Sequence, residues 1–216
     1  MLKKLSLALC VASVFGVGLA QADTSSGDGY SNASGQIHFA GVVTKTAPVI
    51  VVKVLSSEGG REFGLDNSAN NLISLGDYVS ADLENNTFNA NKAVPFQIIL
   101  KKSSTLNHVT NAKVTISAPG GYTNGILNNT AAANLKADNV GVAIRYLGAT
   151  ADTSGIGDPV FNGDGTSTPV ELGVASFTHG NADPTFTFKA GLQKITSDHF
   201  EAGDVNASIE VGVQYK

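Results

Sequence analysis

The chain has 216 residues, with 14 basic against 18 acidic side chains and a net charge of −4 at pH 7. With no basic cluster beyond Lys101-Lys102, that balance argues against nucleic acid or an anionic membrane surface as partner. Charged residues make up only 15% of the chain, while Gly, Asn, Thr, Ser, Val and Ala are plentiful, a mixture that suits short strands joined by turns.

The first 22 residues read as a secretory signal. Lys3 and Lys4 supply the positive end, Leu5 to Leu19 an uncharged apolar run, and Ala20-Gln21-Ala22 a small-x-small cleavage site. The run is short for a membrane anchor. Cutting after Ala22 starts the mature chain at Asp23, removes two lysines and takes the net charge to −6. Cys10, the only cysteine, leaves with the leader, so the mature protein is expected to have no disulfide and no cysteine metal site. What remains is the size of one sandwich domain.

Asp23 to Ser34, rich in Ser, Gly and Asp, reads as a flexible tail. Gly35-Gln36-Ile37-His38-Phe39-Ala40-Gly41-Val42-Val43 alternates, with Ile37, Phe39, Gly41 and Val43 on one side, as a strand with one buried face does. It needs a sheet to join, either its own or that of another copy, and periodicity alone does not choose. Val49 to Leu55 is a near-continuous β-branched run and predicts a strand buried on both faces or nearly so. Phe63, Leu65, Leu72, Ile73 and Leu75 fall in short segments, and Tyr78 to Leu83 suits a short strand or one helical turn. Ala93 to Leu100, Val109 to Ala118 and Asn139 to Tyr146 predict strands. Gly148 to Thr168 predicts a long loop, Pro169 to Leu172 a short segment, and Thr185 to Phe188 a further strand. Asn206 to Lys216 closes the chain, with Ile209, Val211, Val213 and Tyr215 on one face. No long helical period appears, and many short strands with turn signals predict an all-β sandwich.

These pieces resemble the structural subunits of chaperone–usher pili, of the type 1 fimbrial major-subunit kind. Residues 35–43 resemble the family's donor strand, of the form G-x-V-x-F-x-G-x-V. Leu75-Gly76 with Val79 and Leu83 resembles its L-G-x-V segment. Val94-Pro95-Phe96-Gln97-Ile98 with Leu100 resembles V-x-F-x-I-x-L, and Asn139-Val140-Gly141-Val142 resembles N-V-G-V. The penultimate Tyr215 and Gly203, fourteenth from the end, match the most specific part of the pattern. One departure stands out: the family's usual cysteine pair would fall at Pro48 and Ser103, and a disulfide of that kind contributes ~2–4 kcal/mol.

The resemblance implies an incomplete immunoglobulin-like β-sandwich (a pilin domain over 44–216) behind an N-terminal extension and donor strand (23–43). It implies that nothing after Lys216 covers the free edge of the last strand. Polymerisation by donor-strand exchange follows: a periplasmic chaperone lends a strand, and at an outer-membrane usher the Ile37–Val43 strand of the next subunit replaces it. Ile37, Phe39, Gly41 and Val43 would bind the neighbour; Gly203, Ile209, Val211, Val213 and Tyr215 would form the acceptor and chaperone-binding edge. The expected partners are copies of the chain, the chaperone, the usher and, for adhesion, a host receptor, with the product at the cell surface. No cofactor is implied.

Blander readings stand beside these. Tyr215 serves equally as a core tyrosine and Gly203 as a turn glycine. Asp158, Asn162 and Asp164 with Gly165 fit no standard calcium loop, so turn chemistry is the simpler account. An enzyme is not expected. His38, His108, His179 and His199 are scattered, Ser197-Asp198-His199 are consecutive and point different ways, and no nucleophile elbow or phosphate loop is present. Other functions consistent with this sequence are a minor or tip subunit binding a receptor directly, through the 148–168 loop, and a periplasmic sandwich with a ligand-binding role.

Overall fold

A computed structural model describes residues 31–36, 49–55, 61–65, 72–84, 86–101, 110–149, 153–177 and 183–215. The strands in chain order are β1 (Ser31–Gln36), β2 (Val49–Val54), β3 (Arg61–Gly64), β4 (Val94–Lys101), β5 (Asn111–Ser117), β6 (Tyr122–Thr123), β7 (Ile126–Leu127), β8 (Val140–Gly148), β9 (Asp158–Pro159), β10 (Val170–Ser176), β11 (Thr185–Lys194) and β12 (Glu210–Tyr215). One short helix, α1, spans Ser80–Leu83.

Two antiparallel sheets face each other as an immunoglobulin-like sandwich. The first runs β1-β12-β5-β10 and the second β3-β2-β4-β11-β8-β7-β6, with β9 paired to β8. The core is built by alternation. Val114 and Ile116 of β5 and Val211 and Val213 of β12 are fully buried on one side, facing Val52, Ile98, Leu100 and Phe188 of the second sheet. Phe188 stacks on Phe96 with ring centroids 5.1 Å apart and lies against Tyr146 at 5.1 Å. Such pairs add to the area they bury.

Several expectations change in detail. In β2, Ile50 and Val52 are buried and Val51, Lys53 and Val54 half-buried, while Val49 is 38% exposed. Tyr78–Leu83 contains the helical turn rather than a strand. The expected 148–168 loop holds β9 and sends Val160 and Phe161 into the core, Phe161 against Tyr122 with centroids 4.7 Å apart. The tail expected over Asp23–Ser34 gives way at Ser31 to β1, which pairs antiparallel with the outer side of β12, from Ser31↔Tyr215 to Gln36↔Glu210. The edge of β12 expected to stand free therefore has a neighbour over Glu210–Tyr215. Residues 1–22, Ile37, Phe39, Gly41, Val43, Pro48 and Ser103 lie outside the described residues. β2 and β4, which flank the two expected cysteine positions, are paired up to Val49↔Lys101.

Phe188→Ala should lower stability by about 3–5 kcal/mol, as for other buried aromatics truncated in a core. Urea unfolding measures this, and a loss below 1 kcal/mol would contradict the packing described.

Candidate functional site

Between the sheets, where the first sheet ends just before β12, a cleft of about 410 Å³ opens onto the core. One wall is the second sheet: Phe96 of β4, Val142 and Ile144 of β8, Ala190 and Leu192 of β11. The opposite wall is the approach to β12, residues 203–209, with Val205, Ala207 and Ile209 among its members. Leu72, Ile73 and Leu75 line the mouth, and Leu72 is 57% exposed. Protein interiors are packed to the density of organic crystals. A void of this size that reaches Phe96, itself 1% exposed, is an opening in the sandwich.

The 203–209 wall is held by backbone and amide bonds; among the described residues no strand of the first sheet extends alongside it. Asn129, buried to 5% exposure, is the central clamp. Its Nδ2 donates to the carbonyls of Asp204 (2.8 Å) and Ala137 (3.1 Å). Its Oδ1 accepts from the N–H of Ala131 and of Asn206, both at 3.0 Å. The Thr130 N–H adds a 2.7 Å bond to Asn206 O, and Asp204 N–H donates to Leu135 O at 2.6 Å. Gly203 sits where this segment touches the 135–137 backbone. A Cβ there would stand 2.5 Å from Leu135 O and 2.6 Å from Ala137 N. Close approach thus requires the glycine.

Of the expected edge residues, Val211, Val213 and Tyr215 lie on β12, Ile209 immediately before it, and Gly203 at the start of the 203–209 wall. Ile209, Val211 and Val213 are buried on the core side, with 5%, 0% and 0% exposure. Tyr215 closes the strand as the register partner of Ala112 on β5 and Ser31 on β1. Leu75-Gly76 lies at the cleft mouth, with Gly76 at φ 72°. Asn129 was not anticipated, since an Asn in an Asn-Asn-Thr run reads as a turn residue. Among the described residues no group of three His, Cys, Asp or Glu could hold a metal ion.

The turn beside the mouth is fixed electrostatically. Lys92 Nζ lies 2.8 Å from Asp82 Oδ2, and the Val79 N–H donates to the same oxygen at 2.9 Å. The Lys92 bond and the backbone N–H hold the Asp82 carboxyl below its usual range, whereas burial pushes the Tyr78 phenol up.

The fold is that of an all-β immunoglobulin-like sandwich subunit with an opening beside its last strand. The chain belongs to the fimbrial protein family: the family model described as "Fimbrial protein" matches residues 65–216, and the protein is therefore a fimbrial subunit, a component of a surface pilus. No curated protein matches the chain.

Asn129→Ala strips four hydrogen bonds, one buried and three partly buried, and should cost about 1–3 kcal/mol in urea unfolding; a neutral result would contradict the clamp. A lowered carboxylate pKa stabilises above the unfolded value and loses that contribution as pH falls through the folded one. Amide protection at Val79–Leu83 should therefore hold at neutral pH and weaken as pH falls below the ordinary aspartate value of about 4, after correction for intrinsic rates. Unchanged protection would contradict the Asp82–Lys92 turn.

Proposed function

We propose that this fimbrial subunit polymerises by strand addition, with Ile37–Val43 of one copy entering the cleft of the next. The observation that supports this most is the cleft's position. Its 203–209 wall runs directly into β12, so the opening and the strand edge form one continuous acceptor. A small-ligand pocket has no need of a strand edge; strand addition needs both.

The β1 register suggests how such a strand would sit. Continued past Gln36↔Glu210, it sets Phe39 against Ala207, Gly41 against Val205 and Val43 against Gly203. It also sets Ile37 against Ile209, two large residues; from Phe39 onward larger residues on the incoming strand face smaller ones on the wall, and the reverse. Each fully buried anchor of the size of Ile37, Phe39 or Val43 is worth ~1.5–3 kcal/mol. The contact is head-to-tail, so repetition gives an open filament. A periplasmic chaperone that lends a strand and an outer-membrane usher that exchanges it belong to the same reading, as does a role in cell adhesion. Gly203, Ile209, Val211, Val213 and Tyr215 are the acceptor edge in this proposal. A shaft subunit is favoured over a tip or minor subunit that binds a receptor directly, because Val160 and Phe161 commit the 148–168 region to the core.

Deleting Asp23 to Val43 should leave a folded protein that no longer extends fibres. Electron microscopy of surface material and unboiled gels should show monomer and no heat-sensitive ladder. Fibres built from the truncated chain alone would overturn the proposal.

A further inference from the structure

We propose that Lys189 and Arg145, side by side on the outer face of the second sheet, form a site for an oxyanion: a sulfate or phosphate group, free or carried on a saccharide. The proposal is independent of strand addition and uses none of its residues.

The register makes the pair. Lys189 of β11 is the partner of Arg145 of β8, and residues directly opposite in an antiparallel ladder share a face, with Cβ atoms about 4.5–5.5 Å apart. That face is the outer one. Phe188 and Ala190, which flank Lys189 along β11, and Ile144 beside Arg145 all belong to the core. The row continues to Pro95 of β4 on one side and Pro159 of β9 on the other. The adjoining rows hold Gln97 with Thr187, and Gly191 with Ala143. None of these neighbours is acidic.

Two cations therefore stand together without a carboxylate between them. Like charges directly opposite destabilise a sheet, and a buried charge without a partner is costly. Lys189 is 8% exposed. Lys194, buried to the same extent on the same strand, donates its Nζ to Ser197 O at 3.1 Å. Lys53, Lys92, Lys101 and Lys113 reach carboxylates at 3.7, 2.8, 3.4 and 2.7 Å. Among the described residues Lys189 has neither kind of partner.

Arg145 makes no salt bridge among the described residues either. Its Cζ lies 5.2 Å from the centre of the Phe88 ring, and contact with a ring face leaves the N–H groups free to bond elsewhere. Burial pushes the guanidinium below its ordinary value, and Asp158 on β9 opposes this without reaching ion-pair distance.

The chemistry of the pair selects the ligand. A guanidinium offers two parallel N–H groups that fit two oxygens of one anion, and an ammonium supplies a point charge for a third. A tetrahedral oxyanion held between them replaces the repulsion with charge-assisted bonds, which are about twice as strong as neutral ones. The pair lowers the stability of the protein by itself, and the anion offsets that loss.

The test follows urea unfolding of the protein in sodium sulfate and in sodium chloride at equal ionic strength. Lys189→Met keeps most of the stem and removes the charge. In chloride this variant should be at least as stable as the unaltered protein; a marked loss there would give Lys189 a structural partner and overturn the proposal. Titrating sulfate against the Arg145 Nε–H resonance of the unaltered protein gives the dissociation constant, and a resonance that sulfate does not move would also overturn the site. At about ten times that constant, sulfate should lower the unfolding constant of the unaltered protein about elevenfold relative to the variant, whose response carries the general salting effect of sulfate. Equal responses would refute the site. Should Lys189→Met fail to fold, Arg145→Gln takes its place with the same expectation. A sulfated disaccharide then distinguishes the sources. Tighter binding than free sulfate supports a saccharide-borne group and equal binding a free ion, and both uphold the site.

Discussion

A β-strand has two hydrogen-bonding edges, and among the described residues the sandwich body supplies a neighbour to one edge of β12, the N-terminal β1 to the other. β5 takes the inner edge of β12, residue by residue from Glu210↔Ser117 to Tyr215↔Ala112. Along the outer edge, among the described residues, the N-terminal β1 is the neighbour. Buried backbone groups must be paired somewhere. Much of this molecule's character follows from how that single requirement is met.

The same shortage shapes the core. Among the described residues no strand of the first sheet lies along 203–209, and the cleft opens there onto Phe96, Val142, Ile144, Ala190 and Leu192 of the second sheet. The 203–209 segment that borders the cleft is fastened by Asn129, Thr130 and the 135–137 backbone instead. Rigid fastening matters: a wall that collapsed inward would close the cleft and remove the reason for another strand to enter. Gly203, tight against Leu135 and Ala137, is part of that fastening.

How much of this was legible in the sequence depends on the physics behind each piece. Strands with clean alternation, such as Val94–Lys101 and Glu210–Tyr215, announce themselves because one face is buried and the other is not. β10 and the second half of β11 were missed or cut short. Glu171-Leu172-Gly173-Val174 carries a register shift at Glu171/Gly173, which breaks the period of two, and Lys189 and Lys194 are polar residues buried within β11. Phe161 lies among turn formers, so its burial follows from tertiary packing against Tyr122 and has no local signal. Of the site, Ile209, Val211 and Val213 were readable from alternation. Gly203 was marked by its position in the pattern, but its steric role depends on a segment sixty-odd residues away. Asn129 was invisible for the same reason. β1 was hidden by composition: Ser-Asn-Ala-Ser-Gly-Gln has the character of a tail, and it is a strand because an unpaired edge is at hand.

The central claim is that the outer edge of β12 is completed by another molecule in the assembled pilus. A high-resolution structure of the assembled fibre tests it most directly. The strand beside Glu210–Tyr215 should trace to the neighbouring subunit, with its Ile37–Val43 in the cleft. A strand there that traces in every subunit to the same chain, with the cleft unfilled, would contradict the account.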